Sequence, residues 1–340
     1  MWLLTIFADM LEKGERLIGR HSGAIKGPLM ICLGGMHGNE LAGLRALELI
    51  FKMLEVEPIT NPEFVFKGRL VGFRGNLSAI KSRKRFNKID LNRIWTPELI
   101  AEVLRTPIDD LKDEYLEMHQ LIHAVHHEIV DYEPDRIVVL DLHTTSCRGG
   151  IFSIVRDDLD SIELGIELHA PVIRGMLAGL RGTTLHYFHH ENFDIPITSI
   201  SFESGQHVEP LSINRAIAGI INCMRTSGIV QAEHVENQHD KLLIKHSENL
   251  PKVADLIYGH RILPGDQFTM VDGFNNFDLI KKGTLLAHDR HGPIIAKEDG
   301  LLLMPLYQPQ GEDGFFLIEK SDPTSLSQLT SRRRAALKAS

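Results

Sequence analysis

Residues 34–40, GGMHGNE, set an imidazole and a carboxylate three positions apart, His37 and Glu40. They fall directly after the apolar run Leu29–Leu33 (LMICL) and directly before a stretch whose apolar residues recur at helical steps, Leu41, Leu44, Leu47 and Ile50. A histidine and a carboxylate at a strand-to-helix turn can converge on one metal ion, and the glycines let the backbone bend tightly around it. In an open α/β sheet this is also where ligands bind, beyond the carboxyl ends of the strands. Taken alone, H-x-x-E equally describes a capped helix start with an incidental histidine. The run RIVVLDL, which leads straight into His143 of LDLHTT, places a second histidine at the end of another strand. Two histidines and one glutamate with a fourth position open form the donor set of a catalytic zinc site rather than a structural one. Such a site, with no cysteine ligand, usually activates water. The same donors accept manganese or iron.

These groups require a frame that brings strand ends together. Leu29–Leu33, Val65–Gly72, Arg136–Leu142, Ile151–Val155 and Pro196–Phe202 read as strands. Between and after them, Leu41–Leu54, Asp113–Val130 and Ile213–Arg225 read as helices. The alternation predicts an α/β fold: a mixed, mostly parallel sheet flanked by helices. Near residue 230 the character changes. Short runs punctuated by glycine at 264–266, 271–274, 281–287 and 297–305 predict a smaller C-terminal all-β domain, with no helical period of helix length. The expected division is a catalytic domain over 1–235, a β domain over 236–325 and a frayed basic tail over 326–340.

The chain has 340 residues, a size that suggests about two domains. Its 43% hydrophobic and 24% charged content excludes disordered and collagen-like classes. No apolar run reaches the roughly 18 residues of a membrane helix. The N-terminal MWLLTIFADMLEKGE lacks the basic start of a signal peptide. Three scattered cysteines, Cys32, Cys147 and Cys223, fit a reducing compartment, so the expected location is the cytoplasm. A net charge of −8 argues against generic nucleic-acid binding. Against that acidic background, KSRKRFNKIDLNR (Lys81–Arg93) holds six basic residues and one acid. A basic island of this kind suits a small anionic or carboxylate-bearing ligand, or else a solvated surface turn.

GGMHGNE, FNKIDLNR, LDLHTT and SFESGQ, in that order, resemble the succinylglutamate desuccinylase/aspartoacylase family, relatives of the zinc carboxypeptidases. The resemblance covers residues 28–225, and the glycine-punctuated remainder resembles the family's C-terminal β domain. It implies one zinc per chain on His37, Glu40 and His143. It places Asp90 behind His37, accepting a hydrogen bond from the ring's far nitrogen. Asn92 and Arg93 would hold a substrate carboxylate, Arg93 by a two-pronged contact. Arg85 would polarise the scissile carbonyl and stabilise the oxyanion. Glu203 of SFESGQ would take a proton from the attacking water and return it to the leaving amine. Tyr307, in MPLYQP, would reach the pocket from the β domain. The family's aspartoacylases carry an arginine shortly before the catalytic glutamate; TLHYFHHENFDIPITSISFE has none after Arg181, which speaks against N-acetylaspartate as substrate.

The expected activity is therefore zinc-dependent hydrolysis of the amide bond in a small, carboxylated N-acyl amino acid or similar molecule. No nucleic-acid or membrane partner is expected, and a homo-oligomer is compatible with the sequence. The rival readings are a carboxypeptidase-like enzyme acting on peptides or cell-wall fragments, a non-catalytic binding protein of the same fold, and a carrier modified on Lys297. Other histidines read as structural. His119, His123 and His126 or His127 line one face of a half-exposed helix, and His186, His189 and His190 fall on a loop.

Overall fold

The computed structural model describes residues 15–231 and 238–322; the expected tail over 326–340 lies outside them. The strands are β1 (Leu17–Ser22), β2 (Ile25–Gly34), β3 (Lys67–Arg74), β4 (Ile137–Thr145), β5 (Phe152–Val155), β6 (Val172–Arg174) and β7 (Ile197–Gln206). They continue with β8 (Val253–Arg261), β9 (Thr269–Met270), β10 (Leu279–Ile280), β11 (Leu285–Asp289), β12 (Gly292–Ile295), β13 (Gly300–Leu303) and β14 (Asp313–Lys320). An 11-stranded sheet runs in the order β1-β3-β2-β4-β7-β5-β6-β8-β14-β13-β10, and β12-β11-β9 form a small second sheet. The centre, β3-β2-β4-β7, is parallel, whereas β1 and β5 pair antiparallel with β3 and β7.

The parallel centre follows from its residues. Every position of β4, IVVLDLHTT, is buried, as befits a strand covered on both faces. One cover is the helix Ala42–Thr60 with Leu211–Thr226 and Leu159–Glu167; the other is Asp113–Tyr132 with Pro97–Arg105. Alternate residues of a strand feed opposite cores. Met30 and Cys32 of β2 join Leu47, Ile50 and Ile220, while Leu29, Ile31 and Leu33 join Met118, Leu121 and Val125.

Several elements outrun the boundaries expected for them. The helix foreseen over Leu41–Leu54 continues to Thr60, past its last buried residue, Leu54, on a solvent-facing stretch whose apolar residues, Val56 and Ile59, are exposed and which contains Pro58. β4 and β7 run on through His143 and Glu203, so both side chains leave the sheet from paired strands rather than from the loops beyond them. A helix, Gln238–Ser247, occupies a stretch expected to have none. Leu243 is its one buried residue among the described positions, so no apolar stripe marks it.

The C-terminal strands are short and antiparallel, with a glycine turn between most of them, as the punctuation predicts. They also extend the main sheet. β8 pairs parallel with β6, and β14, β13 and β10 follow antiparallel. A third core forms across this seam, where Phe152, Ile154 and Ile173 pack with Ala254, Leu303 and Phe316. No helix among the described residues is long and apolar enough to cross a membrane.

Candidate active site

β2 delivers the chain to Gly35 at φ +71 and then to His37. Gly38 passes so close to the helix Leu77–Ser82 that a Cβ there would lie 2.0 Å from the carbonyl carbon of Ala79, so no side chain is tolerated. The Glu40 N–H donates to His37 O at 3.1 Å, closing a turn that lays both side chains on the same spot. His37 Nδ1 stands 2.7 Å from Glu40 Oε1, and His143 Nδ1, from β4, stands 2.9 Å from Glu40 Oε2. One ligand atom from each of the three lies within 4.8 Å of the others, and all three residues are buried.

The far nitrogens explain the orientation. His37 Nε2 faces Asp90 Oδ1 at 3.1 Å, the contact expected for Asp90. His143 Nε2 faces Asp141 Oδ2, also at 3.1 Å. A carboxylate only accepts, so each Nε2 carries its hydrogen and each Nδ1 is the nitrogen turned toward Glu40. Without a metal, both nitrogens of His143 confront acids. Burial works against its charge, but Asp141 and Glu40 overcome that and hold the imidazole's pKa well above its ordinary value. Burial likewise opposes the Glu40 carboxylate, and His37 and His143 keep its pKa well below the usual range. Two imidazole nitrogens and a carboxylate, each ring braced from behind by an acid, fit a divalent cation that would take the place of the protons.

The basic island folds as a scaffold beneath this site. Its loop is pinned by Glu114, fully buried in the first turn of the helix Asp113–Tyr132. Glu114 Oε1 accepts from Asn87 N at 2.7 Å and Asn76 Nδ2 at 3.2 Å; Oε2 accepts from Lys88 N and Ile89 N, each at 3.2 Å. The next residue, Asp90, caps a 3-10 turn by accepting from Asn92 N at 2.9 Å. Arg85 donates to Asp90 Oδ2 through Nε at 3.0 Å, and its Nη1 approaches Glu40 Oε1 at 3.6 Å. Although burial opposes it, Arg85 and His37 hold the Asp90 carboxyl well below the ordinary range.

Glu203 lies on β7 as the direct register partner of His143 on β4. It is buried, its Oε2 has no hydrogen-bond partner, and desolvation pushes its pKa up to about 8. His37, Glu40, Arg85, Asn92, Arg93, His143 and Glu203 all line one cleft, whose other side comes from Met304, Leu306, Gln308 and residues 311–313. Gln308 bridges the two sides, its Oε1 accepting from Asn39 Nδ2 at 2.8 Å.

Three expected substrate contacts are placed differently. Asn92 lines the cleft; its Oδ1 accepts from Thr184 N at 2.9 Å, which fixes its amide, and its Nδ2 lies 3.4 Å from His143 Nε2. Arg93 also lines the cleft, yet its Nη2 donates to Asp313 Oδ2 at 2.6 Å and its Nη1 to Asn92 O at 2.7 Å. Tyr307 is not brought to the cleft. Its hydroxyl donates to Val271 O at 2.7 Å and accepts from Phe274 N at 3.0 Å, fastening a loop of the C-terminal region instead.

Asp141, Thr184, Glu114 and Asp313 were not singled out from the sequence. Asp141 could have been, since D-x-H along a strand sets both side chains on one face. Thr184 Oγ1 donates to Asp141 Oδ2, completing the brace. The histidines read as structural stay apart from the cleft. The rings of His119 and His123 are 4.3 Å apart on their helix, and His126 Nε2 lies 2.8 Å from the Tyr187 hydroxyl. Lys297 is exposed on a bend between β12 and β13.

Known proteins resemble the chain in sequence pattern and in fold. The model of the succinylglutamate desuccinylase/aspartoacylase catalytic domain matches residues 26–226. No curated protein sequence matches the chain. Among solved structures, a succinylglutamate desuccinylase/aspartoacylase from Rhodobacter sphaeroides is similar at a TM-score of 0.60 and 16% identity, over 88% of this chain and 87% of that one. The product-bound ectoine utilization protein EutE (DoeB) from Ruegeria pomeroyi gives a TM-score of 0.59 at 15% identity, over 88% and 87%. Succinylglutamate desuccinylase from Vibrio cholerae gives 0.54 at 17%, over 88% and 82%.

Proposed function

The chain belongs to the succinylglutamate desuccinylase/aspartoacylase family, and from that premise we propose that it is a zinc-dependent hydrolase of a small, carboxylated N-acyl compound. The observation that carries this reading is the convergence of His37, Glu40 and His143 beside a buried Glu203 carboxylate whose Oε2 has no hydrogen-bond partner. Zinc bound there, one per chain on those three residues, would supply Lewis acidity toward the amide oxygen and toward water.

The side chains divide the remaining work. Water adds to the acyl carbon, the C–N bond breaks, and the products are a carboxylic acid and an amine. Glu203, buried on β7 beside His143, takes the proton from the attacking water and passes it to the leaving nitrogen. Arg85, anchored to Asp90, offers its remaining N–H groups to the oxygen that gains charge. Asp90 and Asp141 keep the two imidazoles aimed at the metal position. One substrate carboxylate is met on the Asn92–Arg93 side of the cleft. Met304, Leu306, Gln308 and residues 311–313 wall the opposite side, which favours a small amide over an extended peptide.

Elemental analysis of protein purified without chelator, paired with a screen of N-acetyl and N-succinyl amino acids, tests the proposal. About one zinc per chain and chelator-sensitive hydrolysis are expected. No metal, and no turnover after zinc is restored, would leave a binding protein of this fold.

A further inference from the structure

Resting on the hydrolase reading, we infer that the cleft selects a monocarboxylic amide carrying an uncharged apolar group, and that Asp313 keeps a second carboxylate out. The first observation is the wall facing away from the histidines. Ile154 on β5, Leu177 and Leu180 at the turn after β6, Leu185, Met304 and Phe316 on β14 all line the cleft. Five of them, all but Leu185, belong to the core that packs across the seam between the two regions of the sheet. The wall is therefore the open face of a hydrophobic core, supplied by elements far apart in sequence. It gives an apolar substituent somewhere to leave water.

The second observation is charge. The cations lining the cleft are Arg85 and Arg93. Arg85 is taken by Asp90 through two nitrogens, each 3.0 Å from Oδ2. Arg93 is taken by Asp313 at 2.6 Å, and Glu312 stands beside that pair on the same rim. Burial opposes the Arg93 charge, but Asp90 and Asp313 raise its pKa, so the guanidinium's charge is already answered. One carboxylate can still use the free N–H groups of Arg93. A second would meet Asp313 and Glu312 with no cation left for it, and like charges brought together at a binding face select strongly against the wrong ligand.

Titration calorimetry on the zinc-loaded protein tests this without depending on turnover. The probes are hexanoate against succinate for the acyl half, and leucine against aspartate for the amine half. Each methylene seated on the wall is worth roughly fourfold in affinity, so at least one apolar probe should bind ten or more times tighter than its dicarboxylic counterpart. Asp313→Asn should raise affinity for the dicarboxylic probe several-fold more than for the apolar one, whose single carboxylate also uses Arg93, and Leu180→Asn should erase the apolar preference. Dicarboxylic probes binding as tightly as the apolar ones, or Asp313→Asn changing both equally or neither, would overturn the inference. Hydrolysis of the matching N-acyl compounds separates the two levels. Apolar preference in binding with no amide cleaved would remove the hydrolase reading alone, whereas efficient cleavage of N-succinyl or N-acyl-aspartate substrates would keep that reading and remove this one.

Discussion

Glu203 and His143 are register partners across the parallel ladder of β7 and β4, so a candidate metal ligand and a candidate base project side by side from one sheet. Their spacing is set by main-chain hydrogen bonds in the most deeply buried part of the molecule, not by a loop. Asp141 precedes His143 by two residues on the same strand, and Ser201 precedes Glu203 in the same way, its hydroxyl donating to Asp141 O at 3.4 Å. A rigid site of this kind makes definite predictions.

Replacing Glu203 with Gln keeps its volume and removes its basicity. Turnover should fall by roughly 10²–10⁴-fold, the usual contribution of a positioned acid–base group. Zinc content should stay near one per chain, measured by elemental analysis on the same sample. Loss of zinc in this variant would assign Glu203 to the metal instead.

Asp141 and Asp90 each hold the far nitrogen of one histidine, at 3.1 Å in both cases. Asp141→Asn and Asp90→Asn should each weaken zinc binding by roughly 10–100-fold, in line with the loss of carboxylates behind metal-bound imidazoles. Competition against a chromogenic chelator reads this directly. Unchanged affinity in both variants would mean that the rings are held by packing alone.

The metal-free protein should show the burial of Glu203 as a pH dependence of stability. Burial is the main cause that raises this carboxyl from 4.5 to about 8. An acid whose pKa is higher when folded binds its proton more tightly in the folded state. Its contribution is full below about 4.5 and is lost as pH rises to about 8. Between those limits the melting temperature of the wild type should fall relative to that of Glu203→Gln, which cannot ionise. Parallel curves would refute the raised pKa.

Glu114 orders the loop that carries Asp90 into place. Glu114→Ala would leave the N–H groups of Asn87, Lys88 and Ile89 and the buried Asn76 amide without their acceptor and should cost about 1–3 kcal/mol in urea denaturation. Glu114→Gln, which keeps one accepting oxygen, should cost less. Equal losses would show that the contacts to Oε2 alone matter.

Local sequence was enough to locate the candidate site. Glycines before His37, an unbroken apolar run before His143 and another before Glu203 are short-range signals, because a buried strand and a tight turn are each specified by a handful of adjacent residues. The same holds for the sheet's parallel centre, whose strands read as continuous apolar runs since both faces are covered. The weakly marked elements were less legible. The helix Gln238–Ser247 buries one leucine among its described positions, so its place depends on contacts rather than on its own periodicity.

What tertiary structure alone decided is which groups meet across the cleft. Nothing near Arg93 in the sequence announces Asp313, 220 positions away, and nothing near Tyr307 indicates that its hydroxyl turns toward Val271 rather than the histidines. Residue type and spacing determined the candidate metal ligands, since those come from two strand ends with recognisable flanks. The charge balance and the apolar wall, by contrast, arise only where β8 and β14 extend the main sheet and bring Met304, Asp313 and Phe316 to the site. Pairing between strands remote in sequence depends on the whole hydrogen-bond ladder and on the shared core beneath it, and no local pattern encodes either.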